Sequence, residues 1–316
     1  MVAYDFAQVL AGLLLLVFAG DALVRGAVAL SLRLGVSALI VSLTVVAFGT
    51  SAPELLVSIK AAVEGAPGLV YGNVVGSNIA NILLVLGAPA LISAIHVSQP
   101  GVMRNVALMV GASVILIICC ALGGLSFWIG VAFLLLLCLV MLDAYAKARS
   151  GAEAPVDIEL EFDGDPSCMS AKSTWLCIFA GLVGLPIGAQ LLIDGARAVA
   201  LEYGVSEAAI GLTLVAVGTS LPELATTIMA AFRKHADVAV GNAVGSNIFN
   251  ILAVAGAAAL FSDLPTPTGF LTLDLWVMLG TALLLAPFVL LKKDIGKKTG
   301  IAFLVGYVGY ICVALH

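Results

Sequence analysis

The sequence has 316 residues, of which 62% are hydrophobic and only 10% charged, with a mean hydropathy of +1.18. Soluble domains carry roughly 25% charged residues, so this composition excludes an ordinary water-soluble globule and indicates a polytopic membrane protein. Long unbroken apolar runs favour helices over a transmembrane β-barrel. The formal net charge of −5 predicts no nucleic-acid partner. Six cysteines without CxxC spacing predict packing residues rather than a disulfide framework.

Ten apolar segments are predicted to cross the lipid bilayer as helices, because a crossing needs about 20 apolar residues. The first is expected to be a span and not a signal peptide, since no basic residue precedes it. A polar stretch separates the first five predicted spans from the last five. We therefore predict an all-α membrane protein with a first unit at 1–148, an acidic linker at 149–173 and a second unit at 174–316. The predicted spans are 6–30, 36–62, 69–93, 105–122, 127–146, 174–198, 207–231, 239–261, 271–291 and 300–315.

The basic residues give this arrangement an orientation. With ten spans and the N-terminus outside, 12 of the 14 Lys and Arg residues fall in inside connections, and only Lys60 and Arg197 fall outside. Such a bias is the positive-inside signal. Both termini are therefore predicted outside and the central loop in the cytoplasm, in a membrane that fits a bacterial or archaeal inner membrane.

The two halves contain the same sequence pattern at a constant offset of 169 residues. TVVAFGTSAPE at 44–54 and TLVAVGTSLPE at 213–223 agree at eight of eleven positions, and GNVVGSNIANIL at 72–83 and GNAVGSNIFNIL at 241–252 at ten of twelve. This agreement indicates an internal duplication. Each copy holds five spans, an odd number, so the second copy is predicted to enter the membrane from the opposite side. Charges at aligned positions reverse sign accordingly: Arg25 with Asp194, Arg33 with Glu202, and Glu64 with Arg233.

Inverted repeats are typical of secondary transporters, whose substrate site lies at the repeat interface near the bilayer midplane. Glu54 and Glu223 occupy one position of the two copies, deep within apolar spans. A charge at the bilayer centre costs roughly 2.5–3.5 kcal/mol on insertion scales, so each needs a compensating role. Since no Lys or Arg lies at matching depth, we predict that the two acids bind a mobile cation. A protonated or helix-paired structural carboxyl is the alternative.

Oxygen-bearing side chains surround these acids in both copies. Pro53 and Pro222 lack an N–H and are predicted to break their helices and free nearby carbonyls. Hydroxyls lie on the same turns, although a hydroxyl in a membrane helix also bonds back to its own backbone. In the third and eighth spans, Ser and Asn four residues apart share one helix face. Asn73 and Asn242 either reach inward or act as caps. The predicted oxygen donors are Thr50, Ser51, Thr219, Ser220, Ser77, Asn81, Ser246 and Asn250.

An all-oxygen set suits Ca²⁺, which takes 6–8 oxygens, and smaller groups of the same oxygens suit Na⁺. Two carboxylates balance one Ca²⁺ or a set of Na⁺ ions, so the two ions exclude each other, which is the physical basis of exchange. We expect no cofactor besides these transported ions, and a monomer that functions alone.

At these motifs the chain resembles the cation/calcium exchanger superfamily in its sodium/calcium exchanger branch, and especially the compact prokaryotic exchangers. The resemblance covers both repeats, about 36–91 and 205–260. It implies ten helices, alternating access through sliding of the first and sixth helices, and electrogenic exchange of several Na⁺ for one Ca²⁺. It also adds the carbonyls of Ala47 and Ala216 to the ligands. Potassium-dependent relatives have Asp at the position of Asn250, so Asn there argues against K⁺ co-transport.

Na⁺/Ca²⁺ antiport is the function that these features favour most. The runner-up is a Ca²⁺/H⁺ or other cation antiporter that uses the same carboxylate pair, because protons compete for buried carboxylates. An intramembrane enzyme is disfavoured, since no HExxH, GxGD, DDxxD or nucleophile-elbow motif occurs. A receptor or scaffold would not require two broken, polar midspans.

Overall fold

The computed structural model describes residues 2–149, 169–203 and 218–314. Its first helix, α1 (Val2–Leu34), has 33 residues and is therefore about 50 Å long at 1.5 Å per residue. Gly35, with φ +66°, ends it, and the N–H of Val36 bonds back to the carbonyl of Ser31. The other helices of the first half are α2 (Ala38–Val41), α3 (Ala47–Thr50), α4 (Ala52–Val63), α5 (Pro67–Leu83), α6 (Val102–Ala121) and α7 (Phe127–Arg149).

The predicted second span is broken where the sequence predicted it. A π-helical turn, Ser42–Val46, joins α2 to α3, and the chain bends by 44° between Ala38–Thr50 and Ala52–Val63. Ser51 lies at the break with φ −83° and ψ 3°, outside helical geometry. Pro53 falls in the first turn of α4, where its missing N–H costs no helical hydrogen bond.

The second half repeats these elements. Helix α9 (Leu221–Phe232) begins and ends 169 residues after α4 does, and α8 (Ala171–Glu202) begins 169 residues after α1 does. The predicted seventh span begins in 204–217, which lies outside the described residues, as does most of the linker (150–168). The opposite membrane orientation of the two halves stays a prediction. The helices of this half are α8 (Ala171–Glu202), α9 (Leu221–Phe232), α10 (Ala236–Phe249), α11 (Gly256–Phe261), α12 (Leu275–Leu284), α13 (Ala286–Leu290) and α14 (Lys297–Ala314).

Seven helical stretches within the described ranges are long and apolar enough to cross a membrane, and the bent pair α2–α4 makes eight. The chain is thus a largely helical, multi-pass membrane protein. The predicted third and seventh spans correspond to the 17-residue α5 and the 12-residue α9, which are not among these eight, so the count of ten crossings stays a prediction. The seven stretches are Tyr4–Leu34, Val102–Ala121, Phe127–Lys147, Ala171–Glu202, Ala236–Phe261, Phe270–Leu290 and Lys297–Ala314.

The core of the molecule centres on α10, all of whose residues are buried. It continues through a π-helical stretch, Asn250–Ala255, into α11, and a second π-helical turn, Phe270–Asp274, leads into α12. A two-stranded antiparallel pairing of β1 (Gly124–Leu125) with β2 (Leu264–Pro265) links the two halves, as does a bridge between Ile95 and Ile295. The first pairing joins the loop after α6 to the loop after α11, and the second joins the loop before α6 to the loop before α14.

Helices α1 and α8 form a closely packed pair beside this core. A Cβ added to Gly12 would lie 2.6 Å from the backbone nitrogen of Leu192, and one added to Gly181 would lie 2.5 Å from Cβ of Leu23. Glycines at helix contacts let backbones approach closely in membranes, where dispersion rather than the hydrophobic effect drives association. The pair therefore behaves as one packed unit.

Candidate cation site

Two carboxylates lie at the centre of the molecule. Glu54 and Glu223 belong to the first turns of α4 and α9, are 1% and 0% exposed, and are close enough to interact electrostatically. Both carboxylate oxygens of Glu54 and Oε2 of Glu223 have no hydrogen-bond partner in the described part of the chain. Buried charged groups require a compensating partner, so these oxygens are candidate ligands for a cation.

Residues of the first broken helix reach the carboxylate of the second. Ser51 Oγ lies 3.4 Å from Oε1 of Glu223, and Ser246 Oγ lies 3.5 Å from the same oxygen. Thr50 Oγ1 donates to Oδ1 of Asn242 at 3.1 Å and lies 3.4 Å from Ser246 Oγ. Bonds of 3.4–3.5 Å are at the long end of the range, so these hydroxyl oxygens can turn towards a cation at small cost.

The amide side chains of α5 and α10 present their oxygens in the same way. Asn250 donates from Nδ2 to Ser77 Oγ at 2.9 Å, and Asn81 donates from Nδ2 to Oδ1 of Asn247 at 3.0 Å. The carbonyl oxygens Oδ1 of Asn81 and Asn250 are both buried and receive no donor from the described residues. Because the nitrogen of each amide is committed to the other half of the chain, its oxygen is the atom available to a cation.

Asn73 and Asn242 hold the backbone that carries the two acids. Asn73 donates from Nδ2 to the main-chain oxygen of Glu54 at 3.0 Å and to Ser58 Oγ at 2.9 Å. Asn242 makes the matching bond to the main-chain oxygen of Glu223 at 3.5 Å. Both asparagines lie inside helices, so of the two sequence interpretations they reach inward and do not cap.

The remaining predicted ligands differ in position. Ser220 is buried, and its hydroxyl has no partner among the described residues, whereas Thr219 is only half-buried. The carbonyl of Ala47 is not free: it accepts the N–H of Ser51 at 3.0 Å and lies 3.4 Å from Thr50 Oγ1. Ala216 lies outside the described residues.

A cavity of about 230 Å³ opens beside the acids, between α4, α8 and the start of α9. Thr219 is in its wall, so this open space begins at the broken turn that carries Glu223. The lining is mostly apolar, with Gln190 as its other polar side chain. The lining residues are Ala52, Pro53, Leu56, Val57, Pro186, Ala189, Gln190, Ile193, Gly218, Thr219 and Pro222.

Sequence reasoning missed a second asparagine pair. Asn247 donates from Nδ2 to the main-chain oxygen of Asn78 at 3.2 Å, and Oδ1 of Asn78 is buried without a partner in the part of the chain that the structure describes. The two residues occupy one position of the duplicated GSN motif, so their identity at the 169-residue offset was a usable signal.

A membrane protein of matched helical halves, with buried carboxylates facing each other between them, has the construction of a cation antiporter. The chain belongs to the sodium/calcium exchanger protein family, whose model matches residues 4–145 and 173–316. It is therefore an antiporter of the cation/calcium exchange class.

Relatives and solved structures agree with this assignment over the full length of the chain. A putative antiporter, CaxA, of Alkalimonas amylolytica is 37% identical over 308 residues, which are 96% of each chain. The sodium/calcium exchanger MaX1 of Methanosarcina acetivorans is 31% identical and covers 100% of each chain. A structure of the sodium-calcium exchanger NCX_Mj soaked with Na⁺ and Sr²⁺ superposes with a TM-score of 0.84 at 33% identity over 99% of each chain.

Proposed function

We propose that this chain exchanges Na⁺ for Ca²⁺ across the membrane, at a midplane site shared by Glu54 and Glu223. The observation that carries the proposal is the pair of buried carboxylates, one from each half, together with buried side-chain oxygens that have no partner among the described residues. Neither carboxylate takes part in the ion pairs found among the described residues. Two neighbouring carboxylates without a fixed cation repel each other, so a mobile cation stabilises the pair.

The donor chemistry supports a hard cation. The proposed ligands are carboxylates, hydroxyls and amide oxygens, with no thiolate or imidazole among them, and these favour Ca²⁺ and Na⁺ over transition metals. One Ca²⁺ neutralises both carboxylates, and several Na⁺ ions do the same by dividing the oxygens among themselves. The two states exclude each other, which couples the movement of one ion to that of the other. The proposed ligands are Glu54, Glu223, Thr50, Ser51, Thr219, Ser220, Ser77, Ser246, Asn81 and Asn250, with the carbonyls of Ala47 and Ala216.

Alternating access is part of the proposal. With both termini outside, α4 runs from the site towards the outer face, and Leu56, Val57 and Gln190 line the cavity on that side. The cavity is thus the outer route to the acids. The NCX_Mj structures concern extracellular ion exchange and binding-site occlusion in that relative, which supports an outward route here.

Isotopic Ca²⁺ uptake into vesicles that contain the purified chain tests the function. We expect uptake when Na⁺ is loaded inside, loss of uptake when the Na⁺ gradient is collapsed, and loss in Glu54→Gln. Glu64→Gln is the matched control, since Glu64 is an exposed glutamate at the end of the same helix, paired with Lys60 at 3.9 Å. Uptake driven by a pH gradient without Na⁺ would overturn the proposal in favour of Ca²⁺/H⁺ exchange. Uptake that survives Glu54→Gln would overturn the proposed site.

A further inference from the structure

An ion pair joins α1 to the C-terminal end of α9. Asp21 of α1 accepts a hydrogen bond at Oδ1 from Nε of Arg233, at the C-terminal end of α9, and its Oδ2 forms an ion pair with Nε of Arg25 at 3.1 Å. The side chains of Asp21 and Arg233 are 16% and 24% exposed, so water screens this pair only in part. Next to it the helices pack closely, because a Cβ on Gly20 would lie 3.2 Å from the carbonyl oxygen of Ala225.

The internal repeat relates this packed contact to the open cavity. At the offset of 169, Gly20 corresponds to Ala189, Asp21 to Gln190 and Ala225 to Leu56. All three counterparts line the cavity between α8 and α4. The contact between α1 and α9 is therefore closed, whereas the equivalent contact between α8 and α4 is open.

The charges of the ion pair have no equivalent on the open side. The counterpart of Asp21 is the neutral Gln190, which donates to Asp194 of its own helix at 2.8 Å. The counterpart of Arg233 is Glu64, whose carboxylate lies 3.9 Å from Lys60. If the open side closed in the same way, an amide would approach a carboxylate, and no ion pair would form. That contact would contain one charged group, whereas the contact between Asp21 and Arg233 joins two opposite charges.

We propose that Asp21 and Arg233 form a one-sided latch that holds the α1–α8 unit closed at the inner face and so favours the outward-open state of the empty transporter. This inference rests on the proposed function for alternating access and for the assignment of inner and outer faces. The tight glycine packing of α1 on α8 lets the two helices move together. Opening the inner face then separates Asp21 from Arg233, whereas closing the outer face restores no equivalent bond.

Cysteine accessibility tests the latch without relying on transport. Val57 lines the outer cavity, and its counterpart Thr226 is fully buried on the inner side. Val57→Cys and Thr226→Cys, each in a background without the six native cysteines, report the two faces through their rates of labelling by a charged, impermeant thiol reagent. The labelling rate of Val57→Cys is measured in right-side-out vesicles and that of Thr226→Cys in inside-out vesicles, both in Na⁺- and Ca²⁺-free buffer.

We expect Asp21→Asn and Arg233→Gln each to slow labelling at Val57→Cys and to speed it at Thr226→Cys, so that their ratio shifts by about fivefold, as the loss of one part-buried ion pair would produce. The charge swap Asp21→Arg with Arg233→Asp is expected to restore the parent ratio, and Glu64→Gln to leave it unchanged. Parent ratios in both single variants, or a swap that restores nothing, would overturn the latch. Since the labelling buffer contains no transported ion, failure of Na⁺-driven Ca²⁺ uptake would refute the proposed function separately.

Discussion

Asn73 donates a hydrogen bond of 3.0 Å to the main-chain oxygen of Glu54, so the third predicted span fixes the backbone that carries a site carboxylate. The same amide nitrogen donates to Ser58 Oγ at 2.9 Å. A proline two residues into α4 and a break at Ser51 leave this segment with less helical support than an unbroken span. The asparagine supplies that support from the neighbouring helix.

Asn73→Ala is expected to destabilise the protein and weaken Ca²⁺ binding. It leaves two buried acceptors without their donor, which lowers the free energy of unfolding by about 1–3 kcal/mol. Thermal unfolding in detergent, with and without Ca²⁺, measures both effects. Ser113→Ala is the control, because among the described residues that hydroxyl bonds to the carbonyl of Met109 in its own helix and to neither acid. Equal thermal stability of the two variants, with and without Ca²⁺, would contradict the proposal that Asn73 supports the backbone of Glu54.

The repeat and its chemistry made much of this fold predictable. Span positions follow from hydropathy, and the break at Ser51 follows from the Gly–Pro pattern, because both depend on local sequence. The offset of 169 also places the start of α8 and both ends of α9 relative to α1 and α4. The three π-helical turns were not predicted, since they depend on how neighbouring helices pack.

The candidate site was predictable in its residue types but less so in its pairings. Helical spacing puts Ser77 and Asn81 on one face, yet the partner of Ser77 in the structure is Asn250 and that of Asn81 is Asn247, both from the other half. The pair of Asp21 with Arg233 joins residues 212 positions apart. Such pairings depend on the distance between helices, which one sequence does not specify.

Two glycine substitutions are expected to have opposite effects on stability, because Gly12 lies at the contact between α1 and α8 and Gly111 does not. Gly12→Ala places a Cβ 2.6 Å from the backbone nitrogen of Leu192 and 2.8 Å from the carbonyl of Gly188, so the helices must separate. We expect a loss of about 1–3 kcal/mol in unfolding free energy. Gly111→Ala meets nothing described within 4 Å in the interior of α6, so it should stabilise by about 0.5–1 kcal/mol.

Thermal unfolding of the two alanine variants beside the parent checks this prediction. A Gly12→Ala variant as stable as the parent would show that α1 and α8 are not in close contact, and it would remove the basis for treating them as one unit.

Acid should destabilise the protein through His235. The imidazole lies between α9 and α10 and is 6% exposed, with Nδ1 unpartnered among the described residues. Burial lowers its pKa, and Arg233 lowers it further, although Asp237 opposes them. The unfolded chain therefore takes up the proton at a higher pH than the folded chain does. The free energy of unfolding keeps its full value above a pH of about 6.5 and falls as the pH drops below it.

Thermal unfolding as a function of pH, in the parent and in His235→Gln, measures this effect. The variant should lose part of the acid slope below about pH 6.5. An identical slope in both proteins would show that other groups account for the acid response.

Equilibrium binding of isotopic Ca²⁺ to the purified protein tests the shared site most directly. We expect one bound Ca²⁺ per chain, which Na⁺ displaces. Binding should be lost in both Glu54→Gln and Glu223→Gln and retained in Glu64→Gln. Retention of that Ca²⁺ in either buried variant, or its failure to be displaced by Na⁺, would contradict a single site held by both halves.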